Sequence, residues 1–483
     1  MQTARFWLNT TSEDIRCFYD SDGSRHWEVL NGITTDASLP AQRSGVSSIS
    51  LPLSHCPSLA EIDRFLFHYF SHTCTIRRSL VDYDNPWRSV LLPLCYQSDG
   101  LLHMAIAWAA HILRNQCASR DIPRYDQMIL AHKCRSLKYL RNMVPQRTDD
   151  RDAISLAETK AERDALLLLV MFHCLLEVAS GSIREWTYHM RGALLIIKFY
   201  TNPKVENRRE VFSHEVLELV YSFFLEKGTF LGTTMTATTG NDEEDSLEWS
   251  TEVPAIFPFL TGRGSVKINP CMGLSHELLD IISSISNQTK HHPRDTTQAF
   301  TALHSRLTNL AIQTQTQPAD QDITDTDTAN LMNLHSKAFE SATWIYLHHA
   351  LGAAPRDCKA IQTLHLPILL TTLSQIHKMH GPLLGFLPYP MWALFIASCV
   401  VLEQDRVKIL EWFTVLNCKK PVSNVPSTMA AVEAVWKRRD LEAVSEVDGV
   451  SPGYGPSAGV QPEKRGPIWM AAISQLGWKM PFT

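Results

Sequence analysis

The stretch RDALLLLVMFHCLLEVASGSIREWTYHMRGALLII, residues 163–197, decides the fold. Its apolar run from Ala165 to Leu176 falls well short of the roughly 20 residues that a membrane-spanning helix requires, so it reads as a helix buried in a core. Apolar spacing assigns helices to 157–179 and 183–200. The run from Met391 to Leu402 reads in the same way as a second buried core helix.

Outward from this stretch the same period recurs. Towards the N-terminus, periodic blocks occupy 99–116 and 124–143, and Asn85 followed by Pro86 starts a helix that is bent or ended near Pro93. An Asn side chain can cap free amides, and the fixed φ of proline suits the first turn. Ser58 and Glu61 form a capping box ahead of the stripe Leu59, Ile62, Phe65, Leu66 and Tyr69, which is predicted to be buried. Towards the C-terminus, a block at 213–226 is followed by the amphipathic stripe Leu274, Leu278, Ile281, Ile282 and Ile285, with Ser275 placed to cap it. Further helices are predicted at 297–312, 328–351, 362–380, 388–402, 406–417, 428–443 and 467–478. Strand-like alternation is nearly absent, so the expected fold class is all-α, a large multi-helix domain of stacked antiparallel helices.

Residues 1–50 show no sustained period and read as a flexible N-terminal arm, leaving 51–483 as the helical domain. Two soft segments interrupt it. The polar tract QTQTQPADQDITDTDT, 313–328, cannot bury enough apolar surface to offset its ordering entropy and is expected to be a mobile loop. A Gly- and Pro-rich tether, 445–467, is expected ahead of the last helix, whose Ile468, Trp469, Ile473 and Leu476 argue that it docks back.

Composition narrows the function. With 45% hydrophobic and 20% charged residues the chain can bury a large core. Its 45 Lys and Arg against 50 Asp and Glu give a formal charge of -5, which offers no global field for phosphate backbones. Eleven cysteines stand singly, unlike a secreted disulfide framework, and no CxxC pair occurs. A binuclear zinc cluster, which needs two such pairs and a further cysteine after each, is therefore not expected in these residues. The N-terminus carries no secretion signal, which leaves the Asn9 and Asn287 sequons idle.

No motif for catalysis stands out. His68 with His72 has the helical spacing of a metal pair but lacks the acidic residue of peptidase chemistry. The pairs His291–His292, His348–His349 and His377–His380 read as ordinary histidines. Asp149, Asp150 and Asp152, and the tract from Asn241 to Glu248, fail the spacing that holds magnesium against a diphosphate and read as solvated loops. Gly273-Leu274-Ser275-His276-Glu277 lacks the second glycine of a nucleophile elbow. Arg77–Arg78, Arg208–Arg209 and Lys437-Arg438-Arg439 are short basic runs of the kind that serve nuclear import or simply face solvent. No enzyme activity, cofactor or metal is expected.

Taken in order, four segments resemble the fungal-specific transcription factor domain found downstream of six-cysteine zinc clusters. The first is FLFHYFSHTC followed by DNPWRSVLLPLCYQSDGLLHMAIAWAAHIL, with Asn85, Pro86, Trp87 and Arg88 opening its second helix. The second is the opening stretch, through Glu177, Gly181, Trp186, His189, Arg191 and Gly192. The third is NPCMGLSHELLDIISSIS, with Ser275 and Glu277. The fourth is WALFIASCVVLEQDRVKILEWF, with Trp412, continued by AVEAVWKRRD and ISQLGW. The resemblance implies an α-helical nuclear regulatory domain controlling metabolic genes, often ones clustered around a biosynthetic pathway. It implies partners among other transcription factors or the transcription machinery, in a homo- or hetero-dimer. DNA would be reached only indirectly, or through a zinc cluster outside these residues. Trp186, His189 and Arg191 either lock one helix against its neighbour or contact a ligand. Apolar helices around 165–200 and 391–416 are the expected walls of a pocket for a small hydrophobic effector, which would shift a conformational equilibrium. The alternative is a sensor of such an effector with no direct promoter role. No membrane partner is expected.

Overall fold

The computed structural model describes residues 59–82, 85–143, 159–182, 185–201, 211–235, 253, 256–257, 260, 266–291, 296–316, 326–352, 359–380, 388–419, 424–447, 467–480 and 482. The expected N-terminal arm, the acidic clusters at 149–152 and 241–248, Arg208–Arg209 and His292 lie outside them. The helices, in chain order, are α1 (Glu61–Tyr69), α2 (Leu92–Cys95), α3 (Asp99–Arg114), α4 (Ile122–Met143), α5 (Lys160–Ala179), α6 (Trp186–Tyr200), α7 (His214–Gly232), α8 (His276–His291), α9 (Thr296–Thr316), α10 (Thr326–Leu351), α11 (Leu366–His380), α12 (Met391–Val400), α13 (Glu403–Lys419), α14 (Asn424–Val447) and α15 (Ile468–Leu476). Among the described residues there is no strand; Ile268 and Ser275 form an isolated antiparallel bridge. The all-α expectation is met, and no helix there is long and apolar enough to cross a membrane.

Two compact units divide the chain. The first takes residues up to Phe70 and Leu92–Leu169, the second Ser71–Leu91 and everything from Val170. In the first, α3 and α4 form a helical pair against which α1 and α2 pack. Gly100 allows the approach, since a Cβ there would collide with the ring of Tyr139. The α1 stripe is corrected in part: Leu66 is buried, but Phe65 is 51% exposed and Phe67 takes the inward place. The helix starts at Glu61 behind Ala60, with no side-chain cap, and Ser58 lies outside the described residues.

In the second unit α10 packs against α8, α9, α11 and α12. Every residue of α12 is buried, as its unbroken apolar run requires. Phe230 of α7 stacks on Trp392 of α12 at 5.0 Å and on Phe339 of α10 at 5.7 Å. Buried Trp rings need a partner for their N–H: Trp392 donates to Thr233 Oγ1 at 2.9 Å, and Trp469 of α15 donates to the Thr233 carbonyl at 3.0 Å. The last helix thus docks through Trp469 and Ile473, whereas Leu476 is 39% exposed.

Helices reach into both tracts that were expected to be loops. Helix α9 runs to Thr316 and α10 begins at Thr326, so only 317–325 of the polar tract stays outside the described residues. Thr314 fits the helix because its hydroxyl donates back to the Leu310 carbonyl at 3.0 Å. Likewise α14 extends to Val447.

Candidate functional site

Asn85, 3% exposed, is the hinge of the first signature segment. Its Oδ1 accepts the Trp87 amide at 3.0 Å, and its Nδ2 donates to the Thr75 carbonyl at 2.9 Å and to Asp82 Oδ1 at 3.1 Å. This is an N-cap with Pro86 in the first helical position, as the sequence predicted. The turn that follows, Trp87–Leu91, is π-helical and runs into α2 at Pro93. Arg88 pairs at the surface with Asp82.

The third signature segment comes to lie beside the first. Asn269 Oδ1 accepts the amides of Cys271 at 2.8 Å and Met272 at 3.2 Å, folding the NPCMG loop on itself. The Pro270 carbonyl accepts from the Leu80 amide at 3.1 Å and the Ser79 hydroxyl at 3.1 Å. Gly273 closes the loop at φ 73°, where an added Cβ would strike Leu80 and His335. Ser275 then caps α8, its Oγ accepting the Leu278 amide at 3.2 Å. Glu277 is drawn away to Arg306, at 2.6 Å, which also holds Asp280 at 2.8 Å.

Between these segments and α7 lies a cavity of about 450 Å³. Arg78, Val81, Pro86 and Trp87 form one side, and Glu215, Glu218, Leu219, Ser222 and Glu226 of α7 another. Lys267, Asn269, Cys271, Met272 and His276 close it. The Arg78 guanidinium lies over the Trp87 ring at 4.9 Å. Behind the wall, Lys227 is buried; its Nζ meets Glu226 Oε1 at 3.2 Å and the Phe482 carbonyl at 3.4 Å. Burial pulls the Lys227 ammonium below the usual lysine range, opposed by the attraction of Glu226. Burial likewise lowers His276, against the nearby Glu218 carboxylate.

Of the sequence-predicted residues, Pro86 and Trp87 line this cavity, and Asn85 and Ser275 position its walls. The others serve elsewhere in the second unit. Gly181, at φ 83°, ends α5 in a Schellman turn: the Ser182 amide reaches the Glu177 carbonyl at 3.1 Å and the Gly181 amide the Val178 carbonyl at 3.1 Å. Trp186 is fully buried and donates to the Lys479 carbonyl at 3.0 Å, and its own carbonyl accepts from Cys174 Sγ at 3.4 Å. His189 stacks on His173 at 5.8 Å. Arg191 and Gly192 are half-buried on α6. Trp412 stacks on His377 at 5.6 Å, with Lys408 Nζ 5.1 Å from its ring. None of the cavity-lining residues belongs to 165–200 or 391–416, where effector walls were expected.

The basic runs are also accounted for in part. Arg78 lines the cavity. Arg439 donates to the carbonyls of Cys399 at 2.9 Å and Val401 at 3.0 Å, completing the C-terminus of α12. The sequence reading missed Arg78, Glu226, Lys227 and Cys271 as a group. The one signal was the charged pair Glu226–Lys227 inside the apolar block of α7. Among the described residues no group of His, Cys, Asp or Glu is arranged to hold a metal.

Among the described residues the distinctive positions mostly cap, stop and lock helices, and some of them line a ligand-sized cavity. The chain belongs to the fungal-specific transcription factor domain family, which it matches over residues 64–483, and is a transcription regulator. No curated protein and no solved structure matches it.

Proposed function

We propose that this regulator controls metabolic genes of a biosynthetic cluster in the nucleus by contacting other transcription factors or the transcription machinery. The observation that carries the reading is the family match over 64–483 in a sequence without a CxxC pair. Sequence-specific DNA contact then comes from a partner or from a zinc cluster outside these residues. A surface for such contact is the outer side of α6, where Leu195 is 53% and Phe199 43% exposed. The two lie four residues apart on one face of the helix, suited to an amphipathic helix of a partner protein. Transcript profiling after deletion of the gene tests the reading. Loss or gain of a contiguous block of metabolic transcripts is expected, and an unchanged profile across the genomic neighbourhood overturns it.

The cavity beside Trp87 favours a second reading, a helical sensor of a small molecule with no direct promoter role. Altered effector binding in Trp87 variants without any change in transcripts would select it over the first.

A further inference from the structure

The cavity also carries a statement about ligand chemistry. Its volume, about 450 Å³, lies in the range that accepts a small organic molecule. The α7 wall, from His214 to Glu226, extends over about 18 Å at the helical rise per residue. Exposure falls along it. His214, Glu215, Glu218 and Lys267 are exposed at the mouth, while Val81, Trp87, Leu219 and Met272 are buried deeper in.

Arg78 and the Glu226 carboxylate both line the cavity, and a second cation, Lys227, sits behind that wall against Glu226. Lys227 engages Glu226 directly, and Arg78 lines the cavity against the Trp87 ring. A guanidinium offers five N–H donors in a planar fork, so it can hold wall groups and still receive a carboxylate. A ligand amine would instead have to approach two cations or displace Lys227 from Glu226. Glu215 and Glu218 at the mouth, only partly offset by Lys267, oppose ligands carrying several negative charges.

We propose that this cavity is an effector site for a small amphipathic monocarboxylic acid. Arg78 receives the carboxylate, and Trp87, Val81, Leu219 and Met272 hold the apolar body. Phosphorylated metabolites and acyl-coenzyme A thioesters, with several negative charges, are disfavoured by the acidic mouth. The inference deepens the small-molecule reading above, yet binding is measured on purified protein. Its failure leaves the transcript experiment unaffected, and the converse holds too.

The test is titration calorimetry of the full chain with hydrocinnamate, indole acetate and decanoate, beside methyl hydrocinnamate, phenylpropylamine and hydrocinnamoyl-coenzyme A. At least one free acid is expected to bind saturably, with the ester, amine and thioester weaker by about tenfold or more, the loss of a charge-assisted contact. Arg78→Gln should weaken the acid by a similar factor and leave the ester unchanged. Ser222→Trp, which fills the cavity from α7 and keeps Arg78, should abolish binding. Amine or ester binding as tight as the acid overturns the proposal, as does no acid binding up to the millimolar range. Unchanged acid affinity in a folded Arg78→Gln variant does so too.

Discussion

The indole N–H of Trp186 donates to the backbone carbonyl of Lys479 at 3.0 Å, joining the first residue of α6 to the segment after the last helix. Trp186→Phe keeps most of the buried ring and removes that donor, leaving the Lys479 carbonyl to find water or lose its partner. A loss of about 1–2 kcal/mol is expected, read from the urea midpoint. An unchanged midpoint would show that the hydrogen bond to Lys479 adds nothing to stability.

Asn85→Ala removes a cap and the shorter of two donors to the Thr75 carbonyl, which keeps the Arg78 amide at 3.4 Å, because one side chain serves both. The expected cost is about 2 kcal/mol. Asn85→Asp retains the acceptor for the Trp87 amide but turns a buried carboxylate oxygen towards the Thr75 carbonyl and the Asp82 carboxylate, so it should destabilise at least as much as Asn85→Ala in thermal melts at neutral pH.

Two signature-segment glycines should respond in opposite ways. Gly273→Ala forces a side chain into left-handed backbone against Leu80 and His335, for an expected loss of about 2–4 kcal/mol. Gly192 is helical, and an added methyl would meet Val170 at 3.9 Å, an ordinary contact. Gly192→Ala should therefore be neutral or stabilise by up to about 1 kcal/mol. Melting the two variants side by side checks both.

Acid should weaken the fold through its buried histidines. Burial, then the neighbouring His348 and His304, pushes His365 down from 6.5 to about 4. The unfolded chain takes up this proton near pH 6.5 and the folded chain only near 4, so stability is full above 6.5 and falls as pH drops towards 4. His365 lies flat against Trp344 at 5.3 Å, a packing that Phe can imitate. In urea titrations from about pH 7 to about pH 4, the range of that shift, His365→Phe should show a shallower decline than wild type. Parallel curves would show that another group governs acid sensitivity.

The buried helices were legible because α5 and α12 are apolar on nearly every side, and the caps at Asn85 and Ser275 because each side chain has a local amide to reach. The face of α1 was misread at Phe65 for a geometric reason. Leu66 and Phe67 take the buried side of the helix there, and apolar spacing alone does not say which of the adjacent Phe65 and Phe67 turns inward. The polar helix end at Thr314 escaped because a threonine hydroxyl can satisfy itself within a helix, donating to the Leu310 carbonyl. The cavity escaped most fully. Its walls come from residues 78–90, 214–226 and 260–276, and its charged members were hidden among apolar neighbours that by themselves signal only a core.

The residues that close the core of the second unit come late in synthesis. Thr233 waits for Trp469, Trp186 for Lys479, and Lys227 for Phe482. A ribosome releases these partners only after everything from α6 to α14 has emerged, so the earlier helices must remain soluble with part of their apolar surface uncovered. A frameshift or stop codon just before Trp469 would leave most of the helices encoded and the buried surfaces under α15 exposed, making such a message a source of aggregating protein rather than of a shortened regulator.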